Sequence, residues 1–174
     1  MPLRHLHLPH RSPSLFPPYR LASRLQHHLR RLLLDFKDSS QRSTSPPPPP
    51  TLLTFTPPPT YTLGRRQQNP SSPAEINLPR LLAPLALPSG VPLPPVSLVA
   101  DSPRGGLATY HGPGQVVLWP VVDLKSGSHA QFTVRCWARA LEETTAGVIK
   151  SIGGYGTQPM APSPSPCALG VVCV

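Results

Sequence analysis

The stretch richest in chemical groups is RGGLATYHGPGQ, residues 104–115. Arg104 brings a cation. Gly105 and Gly106 carry no Cβ, so the backbone can approach a ligand closely and leave its amides unhindered. Such donors could hold an oxyanion or an acyl carbonyl. Thr109, Tyr110 and His111 add two hydroxyls and an imidazole, and Gly112, Pro113 and Gly114 turn the chain sharply into the next segment. Two readings fit these residue types: the wall of a ligand pocket, or a hairpin whose glycines serve geometry alone. In the first, His111 acts either as a general acid or base or as a positioning group.

The candidate nucleophiles are three thiols, Cys136, Cys167 and Cys173. An odd number without a signal peptide argues against a disulfide framework and for a reducing compartment. No CxxC or Cys/His cluster has metal-ligand spacing, so neither a metal nor a cofactor is expected. Cys136 falls within a helical pattern and reads as core. Cys167 and Cys173 belong to an apolar strand pattern, CALGVVCV, and read as buried structural thiols.

These groups must be positioned by a chain of 174 residues, enough for one domain with a real core. Proline, at 28 residues, limits regular structure because each one removes a backbone donor. Proline-rich, low-complexity loops are expected at about 38–50, 69–95 and 157–166, within a single domain over 1–174. Residues 3–8 (LRHLHL) alternate like a strand. Residues 19–36 put Leu21, Leu25, Leu29, Leu32 and Leu33 on one helical face, with arginine and histidine opposite. Further strands are expected at 51–56 (TLLTFT), 96–100 (VSLVA) and 116–124 (VVLWPVVDL). Pro120 in the last of these predicts a bulge or an edge position. A second helix is expected over 131–149, with Phe132, Val134, Cys136, Trp137 and Leu141 as buried positions and Gly153 and Gly154 ending it. Interspersed strands and helices with tight glycine turns predict an α+β domain with a mixed sheet and flanking helices.

The net charge of +9 is concentrated at the front, where residues 1–34 hold six arginines, five histidines and no acid. Such a segment has the composition of a mitochondrial transit peptide, but the helical period of its leucines favours a basic helix docked on a core. Aromatic content of 6% and the lack of a binding motif argue against nucleic acid. No apolar run is long enough to span a membrane. A basic surface also favours acidic protein partners.

RGGLATYHGPGQVVLWPVVDL closely resembles the signature of the octanoyltransferases of lipoate biosynthesis, the lipoate-protein ligase B family. YRLASRLQHHLRRLLLDFK resembles that family's first long helix, and LLTFTPPPTYTLGRRQ its strand followed by P-x-Y-T-L-G-R. These landmarks keep the family's order from about residue 3 to 150. The resemblance implies a biotin/lipoate protein ligase-like catalytic domain and transfer of an octanoyl group. The donor would be octanoyl-acyl carrier protein, and the acceptors lysines on lipoyl domains of 2-oxoacid dehydrogenases and on the glycine-cleavage H protein. The route would run through a cysteine thioester, and the location would be mitochondrial. It further implies that Arg104, Gly105, Gly106, Leu107, Ala108, Thr109, Tyr110 and His111 bind substrate. Arg65 and Arg66 would meet an anionic partner or the carrier's phosphopantetheine, or else form a solvated surface pair. Lys150, ending a helix where a cation suits the dipole, does not match the family's catalytic lysine.

The tail departs from that pattern. The family's catalytic lysine opens a K-I-C-A-L-G-like motif; aligning CALG places Ser165 where that lysine stands, and Cys167 on a non-catalytic cysteine. No residue here matches the family's nucleophilic cysteine, so the catalytic residues of this chain stay unassigned. The expectation is a domain incomplete at its C-terminal end, with exposed strand edges and poor solubility in isolation. Its activity is uncertain on that reading, and the alternative is a non-catalytic binding module for acyl carrier protein or lipoyl domains. An ATP-dependent lipoate ligase is disfavoured by the TYHGPGQ form of the motif.

Overall fold

A computed structural model describes residues 2–10, 15–39, 45–68, 80, 82–86, 90, 92–125 and 132–153. In chain order these form β1 (Arg4–Leu8), α1 (Tyr19–Asp38), β2 (Thr51–Phe55), β3 (Thr60–Thr62), a single 3-10 turn (Arg65–Gln67), β4 (Ser97–Val99), β5 (Thr109–His111), β6 (Val117–Val121) and α2 (Val134–Ser151). The expected α+β architecture is present, with the strands divided between two small mixed sheets.

In the first sheet the order is β1-β2-β6, β1 parallel and β6 antiparallel to β2. Parallel strands need a long crossover, and α1 supplies it between β1 and β2. Alternation along β1 turns Leu6 and Leu8 toward the core, while His5 Nε2 and His7 Nδ1 both reach Thr54 Oγ1 at 2.7 and 3.0 Å. Pro120 lies opposite Leu52 on β6, which is an edge among the described strands, so its missing N–H interrupts no ladder there. The second sheet has the order β4-β3-β5, β4 parallel and β5 antiparallel to β3.

The core gathers Tyr19, Ala22, Leu53, Phe55, Val99 and Val117, with Leu6, Leu8, Leu25 and Trp119 packed against it. Tyr19 meets Trp119 edge-on at 5.4 Å and Phe55 at 6.3 Å, and Phe55 meets Trp119 at 4.9 Å. Edge-to-face contacts of this kind suit the ring quadrupoles. The basic helix is therefore an element of the fold, docked by one face. That face overlaps the leucine stripe only in part: Leu25 packs against the core and Leu33 is half-buried. Tyr19, Ala22 and Leu29 are buried, whereas Leu21 and Leu32 are exposed. The centre of contact sits at Ala22, whose small side chain lets the helix approach the sheet.

The second helix departs further from expectation. It begins at Val134 rather than at 131, because Thr133 caps it: its Oγ1 accepts from Cys136 N–H at 3.1 Å. None of its residues is buried among the described surroundings. Val134 and Cys136, both expected in the core, are exposed; Phe132, Trp137 and Leu141 are half-buried. Cys136 lies about 100° around the helix from Trp137, which removes it from the side that Trp137 and Leu141 share. Gly153, at φ +82°, takes the left-handed position just past the helix and donates to the Lys150 carbonyl at 3.2 Å.

Mid-helix Gly147 is exposed with nothing within 4 Å of a Cβ built upon it. Gly147→Ala is expected to stabilise the fold by about 1 kcal/mol through helix propensity. A thermal melt should show the midpoint rising by roughly 2–4 °C.

Candidate active site: a glycine-rich wall and its buried clamp

The glycine-rich stretch is a loop running into a strand. Residues 104–108 form the loop, and Thr109, Tyr110 and His111 form β5, facing Thr62, Tyr61 and Thr60 across the antiparallel ladder. The TYTLG and RGGLATYH segments are thus adjacent strands of one sheet. Beyond β5 the chain turns, Gln115 N–H donating to the Gly112 carbonyl at 3.1 Å, and enters β6.

Glycine is required where the two segments touch. A Cβ on Gly64 would collide with the Gly106 carbonyl and lie 2.8 Å from the Gly105 oxygen. Gly106 itself has φ +86°, the left-handed region that side chains disfavour. Arg65 N–H donates to the Arg104 carbonyl at 2.9 Å, pinning the two segments beside this contact.

Arg104 turns its guanidinium inward. Nη1 donates to the Gly105 carbonyl at 2.8 Å. Nη2 donates to the carbonyls of Thr62 (3.0 Å) and Leu107 (2.6 Å) and to Thr62 Oγ1 (3.1 Å). One planar cation thereby ties both ends of its own loop to β3. Burial pulls the Arg104 pKa down, an effect the nearby Tyr19 opposes.

His111 is fully buried. Its Nε2 lies 3.2 Å from Thr62 Oγ1, and the Tyr19 ring stacks on its imidazole at 5.2 Å between centroids. Burial, reinforced by the Arg104 charge, lowers its pKa to about 4. Burial likewise raises the Tyr19 hydroxyl, against the opposing influence of Arg104 and a hydrogen bond with Ser102. Two buried atoms of this cluster, Arg104 Nε and His111 Nδ1, have no hydrogen-bond partner among the described residues.

Strand alternation divides the eight expected wall residues. His111 points into the buried cluster. Tyr110 takes the other face, ring to ring with Tyr61 at 5.4 Å, where burial and Tyr61 raise its pKa. Leu107 is exposed, while Gly105, Gly106, Ala108 and Thr109 are half-buried. Arg65 and Arg66, in the turn after Gly64, are exposed. Ser165, Cys167 and Cys173 lie outside the described residues. Residue types alone left out Tyr19, Thr62 and Gly64. The signal for Gly64 and Thr62 was their place in TYTLG, a glycine and a β-branched hydroxyl beside a turn; nothing local marked Tyr19.

The sequence model of the lipoyl protein ligase A/B catalytic domain matches residues 33–157, well over half of the chain. The chain belongs to that family. Among curated proteins similar to it is the octanoyltransferase of Alkalilimnicola ehrlichii, 47% identical over 58 residues, 33% of this chain and 24% of that protein. Another is the octanoyltransferase of Actinobacillus succinogenes, 40% identical over 70 residues, 38% of this chain and 30% of that one. The octanoyltransferase of Haemophilus influenzae is 41% identical over 73 residues, 42% of this chain and 31% of that one. The matched segments thus span about a quarter to a third of these relatives' length. The described residues of the matched region form mixed sheets and helices, an α+β arrangement.

The depressed His111 pKa has a consequence for stability. Between about 4 and 6.5 the unfolded chain holds a proton on this residue that the folded chain excludes, so stability rises with pH across that window. The contribution is complete above pH 6.5 and is lost as pH falls toward 4. Urea midpoints measured from pH 4 to 7 should decline more steeply on the acid side for the native chain than for His111→Gln. Parallel slopes for the two would show that His111 carries no such linkage.

Proposed function

We propose that this chain serves octanoyl transfer in lipoate biosynthesis, with the segment from Arg104 to His111 forming the wall against which the acyl chain lies. What carries the reading is the recurrence of octanoyltransferases among its relatives, at 40 to 47% identity in the three named above. The donor is an octanoyl-acyl carrier protein, and the acceptors are lysines of lipoyl domains in 2-oxoacid dehydrogenases and in the glycine-cleavage H protein. In the first half-reaction of the family's route a cysteine thiolate, to which no residue of this chain is assigned, attacks the thioester carbonyl, forming a new thioester and expelling the carrier's pantetheine thiolate. In the second, the lysine amine attacks that thioester. An amide forms, the cysteine thiolate departs and the amine loses its proton. A thioester is already activated, so no nucleotide is consumed. We place the reaction in the mitochondrion, on the family resemblance together with the basic bias of residues 1–34, much of which is built into β1 and α1; import of a fluorescent fusion tests this.

A second reading, a non-catalytic module that binds acyl carrier protein or lipoyl domains, is favoured by Ser165 standing at the position of the family's lysine. Incubation with octanoyl-acyl carrier protein followed by intact-mass spectrometry separates the two. An octanoyl adduct that disappears on adding a lipoyl domain establishes transfer by this chain. Binding of the carrier with no adduct would overturn transfer in favour of the module.

A further inference from the structure

The buried cluster beneath the wall fixes more than the loop's shape; it also fixes where the proton of His111 resides. Thr62 Oγ1 receives an N–H from Arg104 Nη2 at 3.1 Å, and a guanidinium can only donate. The same oxygen lies 3.2 Å from His111 Nε2. Two arrangements are open. If Nε2 carried the proton, two N–H groups would converge on one oxygen, the Thr62 hydroxyl hydrogen would have no acceptor in the cluster, and Nδ1 would be an unpaired acceptor. If Thr62 instead donates to Nε2, every group around that oxygen is used. One unpaired atom then remains on the ring, an Nδ1–H. Leaving one buried group unpaired costs less than leaving two. The second arrangement is therefore the stable one.

The imidazole plane is held as firmly as its proton. Tyr19, at the first position of α1, stacks on His111 with 26° between the rings, while its other contacts, to Phe55 and Trp119, anchor it in the core. His111 Nδ1 and Arg104 Nε are the two buried polar atoms of this cluster without a partner among the described residues. With the proton on Nδ1 both are donors, one on a cation and one on an imidazole.

We propose that Thr62 and Tyr19 are positioning residues: Thr62 sets His111 in the Nδ1–H tautomer, and Tyr19 sets the plane of its ring. The imidazole is thereby a fixed hydrogen-bond donor and is withheld from service as a general base through Nε2. This assignment deepens the acyl-wall reading and rests on it for its functional meaning. His111 is fully buried, so its fixed donor sits beneath the wall and not on the wall's exposed face.

The tautomer can be read without any substrate. Long-range 1H–15N correlation spectra of chain labelled with 15N-histidine, recorded near neutral pH, distinguish the two neutral tautomers by their nitrogen shifts. His111→Gln identifies the His111 signals by their loss. The expected result is an Nδ1–H pattern for His111 in the native chain. Thr62→Val should shift it to the Nε2–H or a mixed pattern, and Thr62→Ser, which keeps the hydroxyl, should retain the native one. Tyr19→Leu should broaden or average the signals, while Tyr19→Phe leaves them sharp. An Nε2–H pattern in the native chain overturns the proposal outright, whether or not the variants fold. An unchanged Nδ1–H pattern in Thr62→Val removes Thr62 from the role, and sharp, unshifted signals in Tyr19→Leu remove Tyr19. Failure of the octanoyl adduct to form, with the Nδ1–H pattern intact, would instead count against the acyl-transfer reading alone.

Discussion

Gly64→Ala should unfold the protein at a temperature roughly 10 °C below the native midpoint, as a loss of about 3 kcal/mol implies. The new methyl has nowhere to go. It overlaps the Gly106 carbonyl and sits 2.8 Å from the Gly105 oxygen, so the obstacle is main chain and no rotamer change can relieve it. Neither backbone can withdraw cheaply. On one side Leu63 N–H donates to the Val99 carbonyl and Arg65 N–H to the Arg104 carbonyl, both at 2.9 Å. On the other, Arg104 holds the Gly105 and Leu107 carbonyls. Relief requires β3 to part from the wall, which breaks those bonds. Circular-dichroism melts of Gly64→Ala and Gly147→Ala compare one added methyl at two glycines, and the shifts should have opposite signs. A loss at Gly64 below about 1 kcal/mol would show that the two segments yield to each other.

Substituting Arg104 should cost about 2–4 kcal/mol, and lysine should rescue little of it. A guanidinium presents several N–H groups in a fixed plane, which is how one side chain serves the carbonyls of Thr62, Gly105 and Leu107 and the Thr62 hydroxyl together. An ammonium on a flexible stem has three donors around one point and cannot reach the same set. In Arg104→Ala the freed carbonyls rehydrate in part, since the site is only half-buried, which keeps the cost below that of a fully enclosed charge pair. The damage should be local. Hydrogen–deuterium exchange should quicken over residues 104–111 and 60–64 in both variants and remain native-like in α1. Full protection in Arg104→Lys would mean that charge alone, not the fork, holds the loop.

How much of this could be read in advance depended on whether a feature was periodic or relational. The strands were legible, as in TLLTFT and VVLWPVVDL, because β-branched and aromatic runs between prolines leave few alternatives. The helices were legible as helices, yet their buried faces were misjudged in two ways. Counting leucines drew the stripe of α1 through Leu21 and Leu32, which are exposed. The contact keeps Leu25 and Leu29 of that stripe but is centred on Tyr19 and Ala22. Alanine and tyrosine score weakly in any hydrophobic pattern, and only the facing sheet shows that a small residue is wanted. In α2, the helical pattern put Cys136 inside, whereas it is exposed, about 100° around the helix from the half-buried side of Trp137 and Leu141. For the wall, RGGLATYH marked itself by composition, but its partner across the ladder did not. Gly64 and Gly106 are forty-two positions apart, and their contact follows from sheet pairing that no local pattern encodes. The inward turn of Arg104 was hidden for the same reason, since an arginine beside glycines reads equally well as a ligand's counter-charge.

The joint between TLG and RGG also bears on how the intervening chain can vary between related proteins. Its two ends are fastened to each other: Ser97 N–H donates to the Pro59 carbonyl at 2.9 Å, Leu63 N–H to the Val99 carbonyl, and Arg65 N–H to the Arg104 carbonyl. β4 lies against β3 in register from Ser97 to Val99. With both anchor points set by hydrogen bonds, the closure-entropy part of any change in length between Gln68 and Val96 is about 0.6 kcal/mol for each doubling. That interval is where insertions and deletions should accumulate, and where a tag or reporter can be spliced in with the least disturbance to the wall.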